Sequence, residues 1–465
     1  MGRQRKQTQP AGSGLLTVLL EHSAAGCLFL ALFILTLLGV GNALAVGALG
    51  LALCVLGLGQ EEARVDLGVF VPLVLYNLMS AVSSFRTYGN LIDGFASTQV
   101  IFPLLYLLVA CLEEKERLFL RRLCAAWVGT AAVYGIGQFA WLAVTSGTRR
   151  LSGLMGNPNA MGIFLVVGWF ALVGCIPRSG ERPGWAVCLR YLEPAVLIAL
   201  SLTLSMGSFL SLAVGMAVLV RNETRHGSWR DVFRLACRLL AKASLCMGLG
   251  MLAYLAASRT DAAWSCIPVL VYGGVIAAHW PQMERFLEAR PRTAAVLAAG
   301  GTLVAGAAVL VRPSSIATFT ERLEMMKNGL GYLFREPLLG VGPYQWRLLN
   351  LYDGDTYFNT YHIHNVFLHV GVELGLVAAA MLAVVAVRHW QKKKPAAQRG
   401  GFAAFFFHSM MDTGFFYLGI TGLTLLTVSD PWQRGKLLRE RTLRGMFGAF
   451  ALLFAYNIYC VLIGG

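Results

Sequence analysis

Apolar runs of about 20 residues recur from one end of this chain to the other, each long enough to cross a bilayer as a helix. A segment in hydrocarbon must satisfy its own N–H and C=O groups, which leaves helices or closed barrels. These runs are continuous rather than alternating, so helices are expected. Approximate spans fall at 17–39, 41–58, 66–84, 93–110, 124–145, 158–176, 191–205, 208–220, 243–258, 262–280, 293–311, 363–387 and 445–463. The sequence therefore predicts an all-α, polytopic integral membrane protein with about 12–14 transmembrane helices and one larger extracytoplasmic loop.

Composition agrees. Of 465 residues, 57% are hydrophobic and 14% charged. A soluble protein would carry roughly 25% charge. The whole chain, 1–465, reads as a single membrane domain, because its longest non-apolar stretch, 312–362, is short for an independent domain. The net charge of +15 sits in short loops, where it sets orientation. No nucleic-acid motif is present, and no nucleic-acid partner is expected. The ten cysteines are scattered without a CxxC pair and read as small apolar residues, not as a zinc site or disulfide framework. Arg3, Arg5 and Lys6 before the first apolar run resemble a signal peptide's charged region, but apolar sequence runs on through residue 59, so an uncleaved first helix is expected.

Placing the basic clusters at 3–6, 115–122, 178–190, 221–242, 285–292, 388–399 and 434–444 in the cytoplasm gives one consistent topology. The stretch 401–428 has basic residues on both flanks, which a single crossing cannot keep on one side. Two short helices turning near Asp412-Thr413-Gly414 resolve this. The loop 312–362 then faces outward, as do Arg149 and Arg150, against the positive-inside trend. Arg230, Arg234, Arg238 and Lys242 recur at four-residue spacing, with Leu235, Leu239 and Leu240 between them. That pattern fits an interfacial amphipathic helix drawn to anionic lipid, or ordinary inside charge on a connecting loop.

Polar residues of the outer face are the candidates for chemistry. In Arg149-Arg150-Leu-Ser-Gly153-Leu-Met-Gly156-Asn157-Pro158-Asn159, the Asn-Pro-Asn run signals a turn and a helix start. A helix N-terminus with two arginines upstream suits a pyrophosphate; a capped helix with two solvated arginines is the plainer alternative. The segment from Thr320 to about Phe334 reads as a short amphipathic helix stopped before Pro337. It carries Arg322 and leads into a flexible Gly340-Val-Gly342 loop. Beyond it, Tyr344, Trp346, Tyr352, Asp353, Asp355, Tyr357, Phe358 and Tyr361 mix aromatics with carboxylates. Such a stretch serves as a sugar platform or as a membrane-interface belt. His362 and His364 are two residues apart, a poor spacing for a metal pair on a helix. His364 stands at the outer end of the next span and can accept a proton near neutral pH. Glu373 lies nine residues further on, too far along a continuous helix to pair with His364, and needs a partner, for instance an arginine of another span.

Three of these runs together resemble the bacterial O-antigen ligase and O-antigen polymerase superfamily. They are Arg150-Leu-Ser-Gly153 to Asn157-Pro158-Asn159; Arg322 with Pro337-Leu-Leu-Gly340-Val-Gly342; and His364-Asn365 with Glu373-Leu-Gly375. Order and spacing agree over residues 150–425, and the His-Asn plus Glu-Leu-Gly segment is the most specific part. The resemblance implies a glycosyltransferase of the bacterial inner membrane. It would move a glycan from an undecaprenyl-pyrophosphate carrier to a glycan or lipid acceptor on the outer face, for surface polysaccharide assembly. It implies His364 as the base that activates the acceptor hydroxyl, and Arg150 and Arg322 as holders of the pyrophosphate. Asn159, Asn365 and Glu373 complete the expected substrate-binding set. No metal and no cofactor are implied, because the pyrophosphate is the leaving group. One departure stands out: where the family often has Ser-Arg-Gly near its middle, this chain has Ser205-Met206-Gly207.

Two rival readings come from other classes. A lipid-linked oligosaccharide flippase or other secondary transporter would place paired charges or broken helices near the bilayer midplane. A non-catalytic scaffold of an envelope complex would need no convergent site.

Overall fold

The computed structural model describes residues 22–89, 97–147, 149–176, 184–259, 262–311, 313–353, 358, 360–392, 394–428 and 435–463. The basic residues 3–6, and Asp355 and Tyr357 of the 312–362 loop, lie outside them. The protein is an all-α, multi-pass membrane protein. Among the described residues, seven helices are long and apolar enough to cross a membrane, and the pair Ala263–Ala278 and Trp280–Ala289, bent by 70°, adds an eighth if taken as one span. Four more apolar helices, Ser23–Leu38, Ala43–Leu58, Ile101–Cys111 and Leu418–Val428, are shorter. These shorter helices correspond to the expected spans 17–39, 41–58 and 93–110 and to part of the 401–428 hairpin.

Helix Pro158–Cys175 is the hub. Asn157 starts it by accepting hydrogen bonds from the N–H groups of Asn159 and Ala160, with Pro158 in the first turn, as the Asn-Pro-Asn signal predicts. It is apolar all round, and Phe164, Trp169 and Phe170 are almost fully buried. Such a helix belongs inside a bundle. It packs against Glu114–Ser146, Gly184–Leu202, Met206–Glu223, Ala396–Ser409 and Leu418–Val428. The last two flank a turn at 410–417, matching the two short helices expected in 401–428.

The Arg230-to-Lys242 stripe is not a separate surface helix. It forms the first half of one continuous helix, Trp229–Ala257, started by a Ser228–Asp231 capping box. A small antiparallel ribbon, absent from the sequence reading, pairs Glu62–Val65 with Lys436–Arg439. Four-residue strands are too short to show alternation.

The 312–362 loop is more helical than its sequence suggests. Helix Pro313–Arg335 begins before Thr320 and ends two residues ahead of Pro337, and a second helix spans Gln345–Asp353. A small separate core of Met325, Tyr332, Trp346, Phe358, Ile363 and Val372 holds the loop down. Of the loop aromatics, Trp346 and Phe358 are therefore packing residues, whereas Tyr344, Tyr352 and Tyr361 are exposed. The expected helix 363–387 is interrupted between Val366–Leu374 and Leu376–Gln391. Into this break fits the turn 337–342: the N–H of Val341 donates to the carbonyl of Val372 (2.8 Å), that of Gly342 to Glu373 (3.0 Å), and that of Leu376 to Pro337 (2.8 Å). Gly340 and Gly375 have φ of +70° and +89°, and a Cβ on Gly375 would lie 2.0 Å from the Leu338 carbonyl oxygen. Only glycine allows this approach. The Pro-Leu-Leu-Gly-Val-Gly and Glu-Leu-Gly runs are thus two halves of one backbone junction.

Candidate functional site: a carboxylate-centred polar cluster

Arg150, Asn159, Arg322 and His364, spread over 215 positions of sequence (364 minus 149), meet at one point. That point is Asp412, in the turn after helix Ala396–Ser409. Arg322 places Nη2 3.1 Å from Asp412 Oδ2 and donates from Nη1 to the Met411 carbonyl at 2.8 Å. Asn159 donates from Nδ2 to the same Oδ2 at 3.1 Å. Arg150 donates from Nη2 to Asn159 Oδ1 and from Nε to the Thr203 carbonyl, each at 2.7 Å. His364 places Nδ1 3.4 Å from Asp412 Oδ1, which also accepts from the N–H of Thr413 at 2.8 Å.

Burial tends to raise the Asp412 carboxyl. The His364 imidazole, 3.4 Å away, and the nearby cationic groups, Arg322 among them, outweigh it and hold the group well below the usual carboxylate range. Asp412 is therefore an anion and an acceptor, not a proton donor. With Nδ1 turned to this carboxylate, the His364 tautomer that carries its hydrogen on Nδ1 leaves Nε2 as the basic atom. The His364 side chain is 22% exposed and that of Arg322 18%, whereas Asp412 is 4% exposed. The arginine and histidine can reach a ligand; the carboxylate that orients them cannot.

The elements explain the placement. Asn365 caps helix Val366–Leu374 by accepting from the N–H of Leu368 at 3.0 Å, which fixes His364 immediately before the first turn. Asn365 is thus a positioning residue here. Leu204, with φ of +49°, turns the chain beside Thr203 so that its carbonyl meets Arg150. A non-glycine residue in this region is uncommon and tends to mark constrained sites. The Ser205-Met206-Gly207-Ser208 stretch lies against the cluster: Ser208 Oγ approaches the Asn159 carbonyl at 3.5 Å, and Gly207 lies beside the His408 ring.

Glu373 lies outside the cluster. It is buried, receives backbone N–H groups of Tyr344 and Trp346, and stands 3.5 Å from His369 Nε2. Its partners are thus backbone and a histidine rather than an arginine. His362 stacks on Phe416 at 4.3 Å between ring centroids, and packing pushes its imidazole down to about 4. Arg149 is not part of the polar cluster.

Two residues of the cluster escaped the sequence reading. Asp412 was placed only as a turn residue, although it is the lone acid of the apolar stretch 401–428. An acid in such a setting marks a functional site by default. His408 is buried one turn before it, and neither ring nitrogen has a hydrogen-bond partner among the described residues. The chain matches no protein-family model and no curated protein.

Proposed function

We propose that this protein is a glycosyltransferase of the O-antigen ligase and polymerase type, acting on the outer face of a bacterial inner membrane. It moves a glycan from undecaprenyl pyrophosphate to an acceptor hydroxyl. The observation that carries the reading is the convergence of Arg150, Asn159, Arg322 and His364 on Asp412. His364 Nε2 takes the proton from the acceptor hydroxyl as its oxygen attacks the anomeric carbon. The bond from that carbon to the carrier's pyrophosphate oxygen breaks, and the charge passes to the pyrophosphate. The guanidinium groups of Arg150 and Arg322 stabilise it. Two of the five N–H donors of Arg322 are engaged by Asp412 and Met411, so others face the ligand. Asp412 keeps the imidazole oriented and offsets one arginine charge when the site is empty.

Purified protein incubated with an undecaprenyl-pyrophosphate glycan and candidate acceptors tests this. Release of undecaprenyl pyrophosphate with elongated product, without added metal, is expected. The acceptor used separates ligase from polymerase. A full acceptor panel without product, using protein that binds donor, would overturn the reading.

One observation favours a transporter instead. Glu193, Lys242 and Glu284 form a buried ion-pair set on the bent 263–289 pair and its neighbours, with Lys242 Nζ 2.7 Å from each carboxylate. Buried charges and broken helices are transporter features. Translocation of a labelled lipid-linked oligosaccharide across proteoliposomes, without glycan transfer, would select that reading.

A further inference from the structure

A cavity of about 1100 Å³ lies between helices Met206–Glu223 and Trp229–Ala257. It is remote from Asp412. Helix Met206–Glu223 starts beside His408 and Asn159, and the rim residue Arg221 lies about 22 Å further along it. By the placement of basic residues, this end faces the cytoplasm.

Its walls are apolar, with Met216, Val220, Val232 and Leu239 facing the space. Its rim is cationic: Arg221, Arg225 and Arg399 line it, and no acidic residue does. Arg221 and Arg225 are exposed and make no ion pair among the described residues. Arg399 donates from Nη1 to Asn222 Oδ1 at 2.7 Å and from Nη2 to the Lys392 carbonyl at 3.1 Å. Its buried Nε has no acceptor. A buried donor of this kind calls for a partner. Trp229 and Trp390, 78% and 47% exposed, stand at the mouth, where indoles mark a membrane–water interface.

We infer that this cavity binds one anionic phospholipid of the cytoplasmic leaflet, with an acyl chain along the apolar walls and the phosphate among Arg221, Arg225 and Arg399. An apolar slot alone would accept any lipid. Three guanidinium groups at its mouth select a headgroup with net negative charge. Arg230 and Arg234, on helix Trp229–Ala257, add to the local field but lie outside the cavity lining. The inference is independent of the transfer chemistry proposed above.

The test is native mass spectrometry of the full-length protein in detergent, titrated with phosphatidylglycerol or phosphatidylcholine of equal chain length. Wild type is expected to retain one phosphatidylglycerol about tenfold more tightly than phosphatidylcholine. The double variant Arg221→Gln/Arg225→Gln, at exposed positions, should lose this preference. Ala236→Trp, which fills the cavity and keeps every arginine, should lose the bound lipid. Arg292→Gln, at an exposed arginine outside the cavity, should behave as wild type. Melting midpoints with and without phosphatidylglycerol verify that each variant is folded and reports binding. Equal affinity for both lipids overturns the inference. So does wild-type binding by folded Ala236→Trp, or a loss at Arg292→Gln equal to that of the double variant.

Discussion

His364 Nδ1 lies 3.4 Å from Asp412 Oδ1, although 48 residues separate the two in sequence (412 minus 364). The other oxygen of that carboxylate holds Arg322 and Asn159. One buried anion thus holds His364 and Arg322, the proposed base and the proposed pyrophosphate-binding arginine, against each other. Removing the imidazole should therefore damage chemistry, whereas removing the carboxylate should damage geometry. His364→Ala is expected to lose about two to four decades of transfer rate while still binding donor. Asp412→Asn keeps the shape but loses the charge, and should lose less rate while shifting the pH profile of transfer. Rates at equal membrane abundance, with donor binding measured separately, check both. Near-normal transfer by His364→Ala would leave the base unassigned.

Arg150 and Arg322 should differ in their side effects. Alanine at either should weaken donor binding by about 1.5–3 kcal/mol, the typical loss of a charge-assisted contact. Lysine should rescue only in part, because it lacks the planar fork. Arg322→Ala alone also strips a cation from Asp412, so its melting midpoint should fall more than that of Arg150→Ala. Donor titration and thermal melts of the four variants decide this. Wild-type donor affinity in both alanine variants would remove the pyrophosphate assignment.

Glu373 and Gly375 should act on stability. Glu373 accepts the N–H of Trp346 at 3.4 Å inside a buried junction. Glu373→Ala should cost about 1–3 kcal/mol by leaving buried donors unmet. Gly375→Ala should cost more, because its Cβ meets the Leu338 carbonyl and its φ is +89°. For both, the rate per folded molecule should stay within a few-fold of wild type. A full loss of rate in well-folded Glu373→Ala would return Glu373 to the substrate site.

Acid should weaken the loop around His362. Its folded pKa of about 4 lies below the ordinary 6.5. The unfolded chain therefore takes up the proton first. The stability due to a neutral, packed His362 is complete above pH 6.5 and is lost as pH falls from 6.5 toward 4. Melts of His362→Gln across that window should show a shallower acid-side decline than wild type. Equal slopes would mean that His362 is not held neutral by packing.

Orientation can be read from the loop. Tyr352 is 80% exposed, whereas its neighbour Asn350 is fully buried and donates to the Phe358 carbonyl at 2.9 Å. Tyr352→Cys in a cysteine-free variant should react with a membrane-impermeant maleimide in intact cells, once any outer membrane is permeabilised. Labelling only after inner-membrane lysis would invert the topology and move the Asp412 cluster to the cytoplasmic face.

Apolar run length and local start signals settled the helical class and the start at Asn157-Pro158, because each depends on contacts within a few residues, and the basic flanks of 401–428 pointed to its two short helices. The same local signals picked out Arg150, Arg322 and His364 as outer-face polar residues. They could not show that Arg322 and His364 share one carboxylate, or that Arg150 reaches it through Asn159. The cluster around Asp412 draws on three other segments, those of Arg150 to Asn159, Arg322 and His364, and only tertiary packing brings them to the 410–417 turn. Packing also decided that Glu373 belongs to a backbone junction, since the partners that satisfy it lie 27 and 29 residues away in sequence (373 minus 346 and 373 minus 344). Apolar continuity could not reveal the break at Gly375 within the expected 363–387 span. Hydropathy records the side chains, and a helix break is decided by the backbone groups that come to meet it.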